Sequence, residues 1–243
     1  MMVGMPARTS ATTTFDGFSD DAFEFYEGLV ADNSKAYWTE HKHVYEQHVR
    51  TPMQALLESL APAFDATPAM FRPYRDVRFS ADKSPYKTAQ GGFLELDHGV
   101  GYWMQLDAEG VSVGGGFHSH DKAQTQRFRA AIDDETTGRR LATVVGKLTK
   151  GGYVLGGDAV RTRPRGVPAD HPRLDLMRHE SLTVARRVDP AACVSADFAT
   201  TLAAHWRTIK PLVIWLGEHA RPSGAHGRRL PAPVKARDAS VRT

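Results

Sequence analysis

The sequence predicts an α+β domain: an antiparallel meander over about residues 91–117, joined by later strands and packed with helices from both ends of the chain. Three observations predict it. Apolar residues recur at helical spacing over residues 20–60 and again over 195–219. Three short strand-like runs between Gly91 and Phe117 are separated by turns rich in Asp and Gly. No repeat or linker interrupts residues 15–220, so one domain is the simplest account of a 243-residue chain.

The elements follow in order. Ser19 precedes Asp20 and Asp21, a helix start with acids where the helix dipole favours them. Phe23, Tyr26, Leu29 and Val30 then share one helical face. Asp32-Asn33-Ser34 breaks this helix and caps another, expected over about Lys35–Leu60 with a bend at Pro52. Its apolar face carries Trp38, Tyr45, Val49, Met53, Leu56 and Leu60. Gly91–Leu96, Gly101–Leu106 and Val111–Phe117 read as hairpin-linked strands. Helical patterns return over Lys122–Ile132 and Gly138–Leu148, and Gly151-Gly152 ends the second. Tyr153–Leu155 and Leu182–Val188 are further strands. A final helix is expected over Ser195–His219, kinked at Pro211. Residues 1–14 and the basic, Pro- and Gly-rich 221–243 read as disordered tails.

Composition sets bounds on function. The formal net charge is +3, and much of the excess lies after Ala220, so whole-chain charge argues only weakly for nucleic acid. A single cysteine, Cys193, excludes an internal disulfide and suits a reducing compartment. The start MMVGMPARTSATTT lacks the apolar stretch of a signal peptide, and no run of about 18 apolar residues occurs. A cytoplasmic protein with no membrane partner is expected.

The most informative segment is FRPYRDVRFSADKSPYKT, Phe71–Thr88. Arg72, Arg75, Arg78, Lys83 and Lys87 stand against only Asp76 and Asp82, with Phe71, Tyr74, Phe79 and Tyr86 among them. An extended chain places Arg72, Tyr74, Asp76 and Arg78 on one face, with Asp76 between two guanidiniums. Such a carboxylate orients both forks and leaves donors for a phosphate or carboxylate. Ser84-Pro85 is a turn that returns Lys83 and Lys87 towards that face. A salt-bridge lattice holding a long loop is the alternative.

A second basic stretch carries Arg161, Arg163, Arg165 and His171, stiffened by Pro164, Pro168 and Pro172. Rigidity lowers the entropy cost of holding a ligand. Each basic stretch exceeds its own acids in charge, and the two are expected to meet around one pocket, with Arg78 and Asp76 facing Arg165 and His171. His118-Ser119-His120-Asp121 lacks the following residues of a binuclear zinc motif, and Asp121 serves equally as a helix cap, so no metal site is assigned. Gly114-Gly115-Gly116 lacks the spacing of a phosphate loop and suits close backbone approach. Cys193 has no adjacent base.

Arg75–Thr88, RDVRFSADKSPYKT, closely resembles the signature of the bacterial and fungal family called domain of unknown function 2461. FDGF at Phe15–Phe18, followed by Asn33, Lys35, Lys42, Tyr45 and Glu46, resembles that family's amino-terminal block. Pro164–Gly166 with Asp170–Pro172 resembles a later block. The chain has Tyr37-Trp38 where the family usually has Trp-Phe, Val167 where an aromatic is common, and Glu180 where a basic residue is usual. The resemblance implies a shared fold and carries no established activity.

Three functions are compatible with these residues. One is an enzyme acting on a phosphorylated or other anionic small molecule. In it Arg72, Arg75, Arg78, Lys83, Tyr86, Lys87, Arg163 and Arg165 would hold the anion, and Asp76 or Asp82 would serve as base or Mg²⁺ ligand. His171 would move a proton. Another is a nucleotide or nucleic-acid binder with bases stacked on Tyr74 or Tyr86. The third is an interaction module in which the cations are structural.

Overall fold

The computed structural model describes residues 14–220, apart from Phe79, His98, His120 and the side chain of Asp97. The two expected tails lie outside the described residues, save Thr14. The chain opens with helix α1, Asp20–Ala31, whose buried Ala22, Phe23, Phe25, Tyr26 and Leu29 recur at helical spacing. Ser34 then caps α2, Lys35–Val44, by accepting a hydrogen bond from the Tyr37 N–H. The expected bend at Pro52 takes a specific form. Tyr45–Arg50 is a π-helical turn, with the Thr51 N–H reaching the Glu46 carbonyl five residues back, and Pro52 opens α3, Thr51–Phe64. Proline crowds the carbonyl four residues before it, and a widened turn relieves that contact.

Six strands form one antiparallel sheet in the order β1-β2-β3-β4-β6-β5. They are β1 Thr67–Met70, β2 Ala89–Asp97, β3 Val100–Asp107, β4 Gly110–Phe117, β5 Val154–Gly156 and β6 Leu182–Val188. The meander β2-β3-β4 is as the turns predicted. Strand β1 was not anticipated, because four residues containing Pro68 carry no alternation to read. It pairs with β2, Met70 opposite Gly92.

Between β4 and β5 lie α4, Lys122–Asp133, and α5, Glu135–Lys150. A single turn, α6 Leu174–Met177, precedes β6, and α7, Asp197–His219, closes the fold, running on without interruption through Pro211. Helices α3 and α7 cover the sheet face that carries Leu94, Tyr102, Met104 and Val113. Met53 and Leu57 sit over Gly92, while Ile209 and Val213 sit over Gly115. Here the Gly-Gly-Gly run lets α7 approach the β4 backbone closely. Phe15 to Ala220 contribute to one continuous core.

The opposite sheet face is built differently. Phe71 lies on Gly91, Phe93 on Gly101 and Trp103 on Gly114, each ring where a methyl group would collide. Aromatic rings laid across neighbouring glycines replace the side-chain packing those glycines lack. No described helix is long and apolar enough to cross a membrane.

Candidate functional site

Residues 71–88 connect β1 to β2 as a hairpin-like excursion. Tyr74 and Tyr86 form an antiparallel bridge, flanked by Arg75 N–H to Pro85 O at 2.9 Å and Lys87 N–H to Pro73 O at 2.7 Å. Arg72, Tyr74, Asp76 and Arg78 are exposed while Phe71, Pro73, Arg75 and Val77 are half-buried, the alternation expected of an extended chain. What anchors the excursion is Tyr86. Its ring stacks on Trp38 at 4.3 Å and 9°. Its N–H donates to Asn33 Oδ1 and its carbonyl accepts from Asn33 Nδ2, both at 3.1 Å, so the amide side chain stands in for a strand.

The charges are paired within the segment. Arg78 grips Asp76 with two donors, Nε to Oδ1 at 2.9 Å and Nη2 to Oδ2 at 2.6 Å. Asp82 accepts from the Ser84 N–H at 2.9 Å and its hydroxyl at 2.6 Å, and pairs with Arg75. Lys83 Nζ donates to Val77 O, and Lys87 Nζ lies 5.5 Å from the Phe71 ring centre. Arg72 meets no carboxylate at ion-pair distance among the described residues.

These contacts hold both carboxyls at about 2. For Asp76 the cause is chiefly Arg78, with a smaller pull from Arg72; for Asp82 it is chiefly Ser84, then Arg75. Both values lie below the ordinary carboxylate value of about 4. Whatever the contacts contribute to the native state is therefore complete above about pH 4 and lost as pH falls through about 2. Exposed pairs contribute little to stability, so the clean readout is the titration itself. An NMR titration of the side-chain carboxyl carbons is expected to return Asp76 towards its ordinary value in Arg78→Gln while Asp82 stays near 2. Both moving together would mean one coupled cluster instead of two separate pairs.

The second basic stretch does not join the first. Residues 71–88 leave the end of β1, at one edge of the sheet, whereas residues 157–181 leave the end of β5, at the other. Five interstrand spacings of about 4.8 Å put the edges about 24 Å apart. Alternating strand direction also places the two excursions at opposite ends of the strands. No hydrogen bond or ion pair joins them among the described residues. The expected shared pocket is thus excluded, and Asp76 and Asp82 are separated from His171. Each segment's charge excess is a local property, whereas the distance between the two segments is set by strand order, which no local pattern carries.

His171 itself is fully engaged. Its Nδ1 accepts from the Arg173 N–H at 3.1 Å, so Nε2 carries the proton that faces Asp133 Oδ1 at 3.2 Å. Asp121 caps α4, accepting from the Gln124 N–H at 2.6 Å. Cys193 is buried, and burial with Asp189 nearby pushes its thiol up to about 12, which leaves no thiolate nucleophile.

Arg163 and Arg165 instead line a groove of about 740 Å³ between the 160–167 loop and α4. Arg129 and Asp133 form its helical wall, and the buried Met177 and Val167 also line it. The loop is braced on itself: Arg163 Nη1 donates to Val167 O, and the Val167 N–H closes a turn onto Pro164 O at 3.2 Å. Arg129 Nε donates to Met177 O at 2.9 Å. Its Nη2 is buried without a hydrogen-bond partner and reaches only to within 3.8 Å of Glu180. Arg129 was missed by the sequence reading because it stands alone on a helix whose Phe128 and Ile132 are buried core residues.

No curated protein matches the chain. A family model described as conserved hypothetical protein (DUF2461) matches residues 21–215, from the second residue of α1 to near the end of α7. The matched span contains the whole sheet, the Tyr86 anchor and the arginine groove; the chain belongs to this family.

Proposed function

We propose that the protein binds an anionic small molecule, phosphorylated or carboxylated, in the groove between α4 and the 160–167 loop. One observation carries the reading: three guanidiniums, Arg129, Arg163 and Arg165, line a cavity of small-molecule size that holds a single carboxylate, Asp133. Arg129 pairs with Glu180 only at 3.8 Å, beyond hydrogen-bond distance, and its charge adds to the positive field of the groove. The proline-stiffened loop holds its arginines in advance, which lowers the entropy cost of binding. A second reading applies to residues 71–88. The internal Arg78–Asp76 and Arg75–Asp82 pairs favour a structural role for that segment, with Tyr74, 51% exposed, available to a partner.

The test is a thermal-shift screen of nucleotides, sugar phosphates and dicarboxylates on the full chain. A ligand at about 100 times its Kd stabilises by about 2.7 kcal/mol. For a chain of this size that raises the midpoint by roughly 5–10 °C. Arg129→Gln and Arg165→Gln are expected to abolish the shift and Arg78→Gln to leave it intact. The reading fails if no anion stabilises the wild type, or if only Arg78→Gln matters.

A further inference from the structure

A second cavity, of about 460 Å³, lies beyond the amino-terminal end of β5, between the end of α5, strand β6 and the first half of α7. It shares no lining residue with the arginine groove. Lys147 from α5 and Arg186 from β6 supply two positive charges, and no Asp or Glu lines it. Arg186 spends one donor, Nη1, on Gly151 O at 3.1 Å and meets no carboxylate among the described residues. On the α7 wall stand His205 and the Thr200 and Thr201 hydroxyls, while the Thr208 hydroxyl is spent on Ala204 O at 2.9 Å. The Tyr153 hydroxyl lies 2.7 Å from His205 Nδ1, which leaves Nε2 as the ring atom without a protein partner among the described residues. Leu148 and Ala204 give the cavity an apolar part.

Two exposed cations border this cavity, no acid lines it, and the Arg186 charge reaches the imidazole. Burial, and then Arg186, push His205 below its ordinary value. An anion placed here would meet both cations and the imidazole edge. The donors are spread over three walls and include an ammonium, a guanidinium fork, an imidazole edge and hydroxyls. That is more than the two oxygens of a carboxylate can use, and it suits a tetrahedral group with three terminal oxygens. The apolar part leaves room for a small organic body, and the volume falls in the range of small-molecule sites.

From this geometry we infer that the cavity between α5, β6 and α7 is a binding site for the phosphoryl group of a small phosphate monoester. It is independent of the arginine groove and does not rest on it.

The experiment is calorimetry on the full chain with inorganic phosphate and with glycerol 3-phosphate, paired with NMR of the histidine rings. Phosphate is expected to shift the His205 ring resonances. The monoester is expected to bind more tightly than phosphate, because the apolar part adds contact. Arg186→Gln is expected to weaken both at least tenfold. Arg186 is an exposed strand residue, so this variant should keep its fold. Lys147→Gln, on the exposed face of α5, is the second variant and should weaken both ligands as well. Arg129→Gln alters only the groove and should leave the His205 shift unchanged, whatever phosphate the groove itself takes up. The inference is overturned if phosphate leaves the His205 ring unmoved, if neither Arg186→Gln nor Lys147→Gln weakens binding, or if Arg129→Gln alone abolishes it. The last outcome would leave the arginine groove standing as the phosphate site, whereas loss with Arg186→Gln alone would leave the groove's own ligand to be found.

Discussion

Replacing Trp206 by alanine is expected to destabilise the protein by about 3–5 kcal/mol, the range for truncating a large buried aromatic. The residue is fully buried where α7 crosses the sheet. Its ring meets Phe64 edge-on at 5.5 Å and Tyr102 at 5.7 Å, tying α3, α7 and β3 together. Its indole N–H donates to the Trp103 carbonyl at 3.3 Å. Truncation therefore opens a cavity at the junction of three elements and leaves aromatic faces without partners. At this chain length the loss corresponds to a fall of roughly 10 °C in thermal midpoint. Trp206→Phe keeps most of the ring and loses the hydrogen bond, so about 1–2 kcal/mol is expected. Urea unfolding of the two variants checks the order. Equal midpoints for wild type and Trp206→Ala would mean that α7 does not pack on the sheet at this residue.

Trp206 was legible in the sequence, and the reason is periodicity. Phe198, Leu202, Trp206, Ile209, Val213 and Leu216 recur along one side of a helix, and all six are fully buried in α7. The hairpins were legible for a similar reason, since Asp107-Ala108-Glu109-Gly110 can only reverse the chain; Gly110 there has φ +126°. Even the alternation of residues 72–78 followed from period two. Strand order was not legible. Local patterns fix which residues pair across a tight turn, but β5 and β6 are joined by a long excursion and β1 is four residues long. Nothing local said that they occupy the two edges.

The candidate sites divide along the same line. Arg163 and Arg165 announced themselves because they cluster in sequence. Arg129, Lys147 and Arg186 stand singly among ordinary helix and strand residues, and only the fold gathers them into cavities. A charge run is a local signal, whereas a pocket is a property of tertiary contact. The sequence accordingly drew attention to Phe71–Thr88, where each acid is paired with an arginine close by in the same segment.

Asn33→Ala is expected to loosen that segment without unfolding the domain. The amide makes two hydrogen bonds to the Tyr86 backbone, each worth about 1 kcal/mol net, and both are lost together. A local loss of about 2 kcal/mol corresponds to roughly thirtyfold faster amide exchange at Tyr86. Amides in β3 and β4 should be unchanged, because their ladders do not pass through Asn33. Asn33→Asp separates the two bonds. Its carboxylate still accepts from the Tyr86 N–H but turns an oxygen towards the Tyr86 carbonyl, where the amide had placed a donor. Protonation restores a donor, so the carboxyl introduced there should have a raised value in the folded state. Its contribution is then present at low pH and lost as pH rises through that value, opposite in sign to Asp76 and Asp82. Exchange at the Tyr86 amide should therefore be slower, relative to Asn33→Ala, at pH 4 than at pH 7. Corrected for the intrinsic pH dependence of exchange, an Asn33→Asp profile flat over that range would show that Tyr86 is held by its stack on Trp38 alone.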